Sequence, residues 1–76
     1  MTAETSRQQS VLLLARASAA IRARRQALGL KQSEVAAAAA MSLRRYITIE
    51  HGGNFTLDKL ERIAVALDCP PASLLP

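Results

Sequence analysis

The residues that could carry chemistry here are mostly cations. From Arg16 to Arg45 the chain places seven basic residues (Arg16, Arg22, Arg24, Arg25, Lys31, Arg44, Arg45) against one acid, Glu34. From Tyr46 to Pro76 the balance reverses, with two basic and four acidic residues. A basic first half beside an acidic second half suits a polyanion on one side of the molecule. Catalysis finds no comparable support. The sequence shows no paired carboxylate site, no nucleophile with a base, and no glycine-rich loop ahead of a helix. "HGGN", His51 to Asn54, follows a helical stretch, where it reads as a stop. One cysteine and one histidine exclude an internal disulfide and a zinc finger. Cys69 and His51 read as structural or incidental, and no cofactor or metal is expected.

The elements that must hold these cations are short. A chain of 76 residues is one small domain, and 15 of its apolar residues are alanine, so bulky side chains for a core are few. No apolar run approaches the ~20 residues needed to cross a bilayer. The start, "MTAETSRQQS", is too polar for a signal peptide. Residues 1–9 read as a flexible tail and residues 10–76 as the domain, in a soluble, cytoplasmic protein.

A first helix is expected from about Ser10, as its cap, to Leu28. Leu14, Ile21 and Leu28 repeat every seven residues, with small Ala17 and Ser18 on the same face. Gly29 stops it. Leu12 and Leu13 fall off this stripe and suit a contact with another chain. Thr56 can cap a later helix with Leu57, Leu60, Ile63, Ala64 and Leu67 on its apolar face, and Pro71 can open a last turn holding Leu74 and Leu75.

The informative stretch lies between, "KQSEVAAAAAMSLRRYITIEHGG". As one helix it would be apolar all round, with a capping serine in its middle. As two helices its apolar residues sort: Leu30, Val35, Ala36 and Met41 inward, then Tyr46 and Ile49 inward. The alanine run therefore contains a corner near Ala39 to Met41, and Ser42 caps the next helix. That is a helix-turn-helix, whose second helix offers its outer face to a DNA major groove. The fold class is all-α: a compact bundle of four to five short helices containing a helix-turn-helix.

In order, "LGLKQSEVA", "MSLRRYITIEHGG" and "TLDKLERIAVALDCPPASLL" resemble the lambda-repressor-like family, the Cro or XRE type, over about Ile21 to Leu75. The resemblance rests on Gln32, Ala36, Ser42, Ile49, Glu50 and Gly52 together. It implies that Lys31 and Gln32 touch the phosphate backbone, that Leu43, Arg44 and Thr48 face base edges, and that Arg25 and Glu50 form an internal salt bridge. Arg45, nearer the helix flank, suits phosphate. Two positions depart from the family pattern. Ala40 stands where glycine is usual, which costs on the order of 1 kcal/mol if the backbone there is left-handed. Lys31 stands where a capping serine or threonine is common.

These residues point to a sequence-specific regulator of transcription on double-stranded DNA, a repressor or controller binding a palindromic operator as a homodimer. The rival reading is an antitoxin-like module whose main partner is a protein such as a toxin, with Leu12, Leu13 and Ile47 as contacts. The "RARR" run, Arg25 apart, reads as a solvated helix face, and Tyr46 as core.

Overall fold

The computed structural model describes residues 2–75, and among them every regular element is helical. α1 runs Ala3–Ala27, α2 Gln32–Ala38, α3 Leu43–Glu50 and α4 Leu57–Ala66; a 3-10 turn, Pro71–Leu74, closes the chain. None of these helices is long and apolar enough to cross a membrane.

The four helices begin and end by simple rules. Thr2, Ser42 and Thr56 cap α1, α3 and α4, each side-chain oxygen accepting from the backbone N–H three residues on. At all four C-termini the same pair of backbone bonds recurs. After α1, Gly29 N–H donates to Gln26 O and Leu30 N–H to Arg25 O. Ala40 and Met41 repeat the pattern after α2, Gly52 and Gly53 after α3, and Asp68 and Cys69 after α4. This arrangement needs a left-handed residue at its turning point. Gly29 (φ 70°) and Gly52 (φ 94°) take that conformation freely, whereas Ala40 (φ 56°) and Asp68 (φ 52°) do so against their Cβ.

The core is small. Ile21, Val35, Ala36, Ala39, Tyr46, Ile49, Leu60, Ile63, Ala64, Leu67 and Leu74 are buried in one cluster, with Leu30, Met41, Phe55 and Cys69 against it. Ala36 and Ala39 let α2 lie close to α3 and α4, where a larger side chain would hold the helices apart. The 3-10 turn presses Leu74 into the same cluster from the end of α4.

Three expectations about helix faces are corrected. The first helix begins at Ala3, not near Ser10. Thr2 supplies the cap, Glu4 sits favourably in the first turn, and the Ser10 hydroxyl donates to Ser6 O inside the helix. Polar residues with adequate helix propensity extended the helix where nothing packs on it. Leu28 is 40 % exposed, because the helix ends there and the chain swings away through Gly29. Leu57 is 73 % exposed, since the first turn of α4 lies beyond the elements that cover Leu60 and Ala64.

"RARR" is also more than a solvated face. Arg24 donates to Leu67 O (3.0 Å) and Asp68 O (3.1 Å), closing the negative end of α4. Arg22 donates to Glu50 O (3.4 Å) at the end of α3.

The strained corner yields a prediction. Ala40→Gly keeps the corner's backbone bonds and removes the Cβ from a left-handed residue. Its urea midpoint is expected to rise by the equivalent of ~1 kcal/mol; an unchanged or lower midpoint would show that Ala40 carries no strain.

Candidate nucleic-acid interface

α3 is two turns long, too short to persist without support. Its start is capped locally and its end is tied to α1. At the start, Ser42 Oγ accepts from Arg45 N–H at 3.1 Å. At the end, the buried Ser18 hydroxyl of α1 donates to Ile49 O at 2.6 Å. Tyr46, Ile49 and Glu50 turn inward, while Leu43, Arg44 and Thr48 share the exposed outer side.

The strongest anchor is ionic. Arg25 Nε lies 2.7 Å from Glu50 Oε2 and Arg25 Nη2 lies 3.1 Å from Oε1, a two-pronged pair between α1 and the end of α3. Arg25 Nη1 also donates to Leu30 O at 3.0 Å. Gln32 Nε2 donates to Glu50 Oε1 at 3.1 Å, so the start of α2 joins the same knot. Burial alone would push the Glu50 carboxyl up. The hydrogen bonds from Arg25 and Gln32, with the neighbouring Tyr46 hydroxyl, outweigh it and hold the carboxyl below its usual range. Burial and the Glu50 charge raise the Tyr46 phenol in turn. The Tyr46 hydroxyl is near enough to influence Glu50, yet it has no partner that meets hydrogen-bond geometry.

Leu43 and Arg44 stand at the start of α3 on its open side. Thr48 shares that side, but its hydroxyl donates to Arg44 O at 3.0 Å, leaving only its acceptor capacity outward. Its methyl lies where a Cβ on Gly53 would fall, 2.6 Å away, so only glycine fits after this helix. Lys31 is exposed ahead of α2. Its ammonium cannot accept a capping bond, and its backbone N–H donates instead to Glu34 Oε1 at 2.9 Å. Arg45 Nη2 donates to Asn54 O at 2.6 Å, which lays the guanidinium along the loop after α3. Gln32 and Arg45 are thus partly committed inside the protein, while Lys31 and Arg44 extend into solvent. Ser18 reads in the sequence only as a small residue on the stripe and Arg22 only as a surface cation, for nothing near either signals that it will meet a helix end.

A family model described as helix-turn-helix matches residues 21–74, through both helices of the corner and on to the closing turn. The chain belongs to the helix-turn-helix family. Its type is the Cro/XRE one that the motifs resemble, a DNA-binding module of transcription regulators. Among solved structures it is similar to the restriction-modification controller protein C.AhdI from Aeromonas hydrophila, with a TM-score of 0.79 and 28% identity over 82% of this chain and 96% of that one. Among curated proteins none matches it significantly.

The helix-turn-helix depends on the Arg25–Glu50 pair, and the two partners are unequally buried, at 14% and 2% exposed. Arg25→Ala strands a carboxylate that cannot reach water. It is expected to cost more than the ~0–1 kcal/mol of a surface pair, and more than Glu50→Ala, which leaves an arginine with some solvent access. A double-mutant cycle in urea checks both statements. Because the folded carboxyl is depressed, its stabilisation is complete above the unfolded value of ~4.3 and is lost as pH falls through the folded value. The stability deficit of Glu50→Gln should therefore be full at neutral pH and shrink in acid; a deficit independent of pH would mean that the charge is not what stabilises.

Proposed function

We propose that this helix-turn-helix protein is a sequence-specific regulator of transcription, a repressor or controller that binds a palindromic operator on double-stranded DNA as a homodimer. The observation that carries the reading is the division of α3. One side is locked into the core through Tyr46, Ile49 and Glu50, and the other offers Leu43, Arg44 and Thr48 to solvent with Lys31 exposed one helix earlier.

Each group has a task its chemistry suits. The free Arg44 guanidinium can pair with the O6 and N7 edge of a guanine, and Leu43 can press on a thymine methyl. Lys31 meets a phosphate as a mobile point charge. Arg45 retains donors for a phosphate after its bond to Asn54, and Gln32 retains one N–H and its carbonyl. One α3 reads only a few base pairs, so two copies across a palindrome supply the rest of the specificity. On this reading the protein binds and does no catalysis, and it works in the cytoplasm. Exposed Leu12 and Leu13, with half-buried Ile47, favour one alternative, an antitoxin-like partner surface. Salt separates the two, since phosphate contacts weaken steeply with salt and apolar contacts do not.

The test is binding of variants to a duplex selected from a random pool, to its single-base variants and to unrelated DNA, over a salt series. Lys31→Ala is expected to weaken all of them alike and to reduce the salt slope by roughly one. Arg44→Ala should cost ~1–3 kcal/mol on the selected duplex and relax the choice at one base position. Equal loss on every duplex would make Arg44 a phosphate contact. No loss from either change would hand the surface to a protein partner.

A further inference from the structure

Among the described residues, the first half of α1 stands exposed, apart from the body of the fold. The molecule is 40 Å long and about half that across, and a 25-residue helix, ~37 Å at ~1.5 Å per residue, accounts for that length. Only its second half meets the body, through Ala17, Ser18, Ile21 and the arginines after them. Residues 3–14 form a free arm of roughly 18 Å. The family model begins at Ile21, so the arm lies outside the shared domain. Its base carries four consecutive apolar residues, which at ~100° each ring the helix. Leu14 is half-buried, while Val11, Leu12 and Leu13 are 65%, 54% and 45% exposed. Val11 and Leu12, with Glu4, Arg7 and Gln8, border a shallow groove along one side.

We propose that this side of the arm, centred on Gln8, Val11, Leu12 and Ala15, is the homodimer contact, pairing antiparallel with the arm of a second copy. The inference rests on the dimeric reading above and names its surface. Charge favours a second copy as occupant. The arm carries one acid and one base, Glu4 and Arg7, in a chain of net charge +4, so two arms meet without the repulsion that two bodies would feel. With the two-fold axis level with Ser10, Gln8 comes level with Leu12 of the second copy. Glu4 comes level with that copy's exposed Arg16.

Spacing favours the same register. α1 grips the end of α3 at the level of Ser18 to Arg25, on average about 11 or 12 residues beyond Ser10, or ~17 Å along the axis. A two-fold axis there separates the anchored α3 ends by ~24 to 45 Å along α1, a span that includes the ~34 Å of one turn of DNA. Sliding the axis by one residue changes this by only ~3 Å. An arm ~18 Å long and ~10 Å wide offers less than the ~800 Å² per partner of a standard stable interface. The dimer is therefore weak in free solution and gathers on the operator.

The experiment compares the full chain with Leu12→Glu, on the contact side, and Leu13→Glu, ~100° round the helix and off it. Both positions are exposed, and circular dichroism checks that each variant stays helical. Sedimentation equilibrium should show concentration-dependent dimers for the parent and Leu13→Glu, and monomers for Leu12→Glu. On selected duplexes, Leu12→Glu should keep the parent's affinity for one half-site and lose most of the gain from the second, on the order of 100-fold. Dimers of Leu12→Glu equal to the parent's, equal damage from both changes, or a parent monomeric even on a palindrome would each overturn the proposal. If no duplex is bound by any of the three proteins, the DNA reading fails instead, and sedimentation alone decides the contact.

Discussion

A two-turn helix that must present its outer face to a ligand cannot hold its own direction, and most of this fold serves to hold α3. The decisive interaction is the two-pronged bond between Arg25 and Glu50, at 2.7 Å and 3.1 Å. Glu50 occupies the last turn of α3, where its charge opposes the helix dipole and, buried, would be intolerable alone. Arg25 removes both objections and at the same time bonds Leu30 O, so the turn after α1 is set by the same guanidinium. Gln32 brings in the start of α2. One carboxylate thus fixes the relative positions of three helices, and burial of Ile21, Tyr46 and Ile49 supplies the cohesion that the ionic knot alone would lack.

Around this knot α1 acts as a rack of donors for helix ends. Ser18 and Arg22 reach the last carbonyls of α3, and Arg24 reaches those of α4. The last carbonyls of a helix have no partner within it, and where they are buried a partner must come from elsewhere. Donating them from one straight helix ties the ends of two others to a common axis. The recurring backbone closure at all four C-termini does the rest locally, and Ala40 is where that closure is least comfortable. Arg62 Nη1, 3.4 Å from Ala40 O, adds a bond from α4 at that point.

What could be read in the sequence follows from how local each cause is. The corner near Ala40 was legible because Ser42 is a cap and because a single helix would have been apolar all round. The Arg25–Glu50 pair came from the family resemblance, with the dipole argument in support. The helix start at Ala3 is not legible in the sequence, because a polar composition suits a loose tail as well as an exposed helix. Leu57 was placed inward by periodicity, which says which side a residue takes but not whether anything lies opposite. Ser18, Arg22 and Arg24 bond to carbonyls 28 to 44 positions away in the chain, and no pattern in their own neighbourhood encodes that.

On the proposed reading, the commitments made inside the protein decide how much of α3 is left to read with. Ser42 is spent on its cap, Arg45 is turned to Asn54, Thr48 gives its proton to Arg44 O, and Glu50 is buried. Leu43 and the Arg44 side chain remain free, with an acceptor on Thr48. So few free groups suit a short run of bases, because the rigidity that aims the helix consumes its polar side chains. Turning the committed polar groups outward would loosen α3, since each would have to leave an internal bond. Repeating the whole unit adds readers without loosening anything. On that reading, a fold that uses so much of α3 on its own support is one in which specificity grows more readily by copies than by contacts.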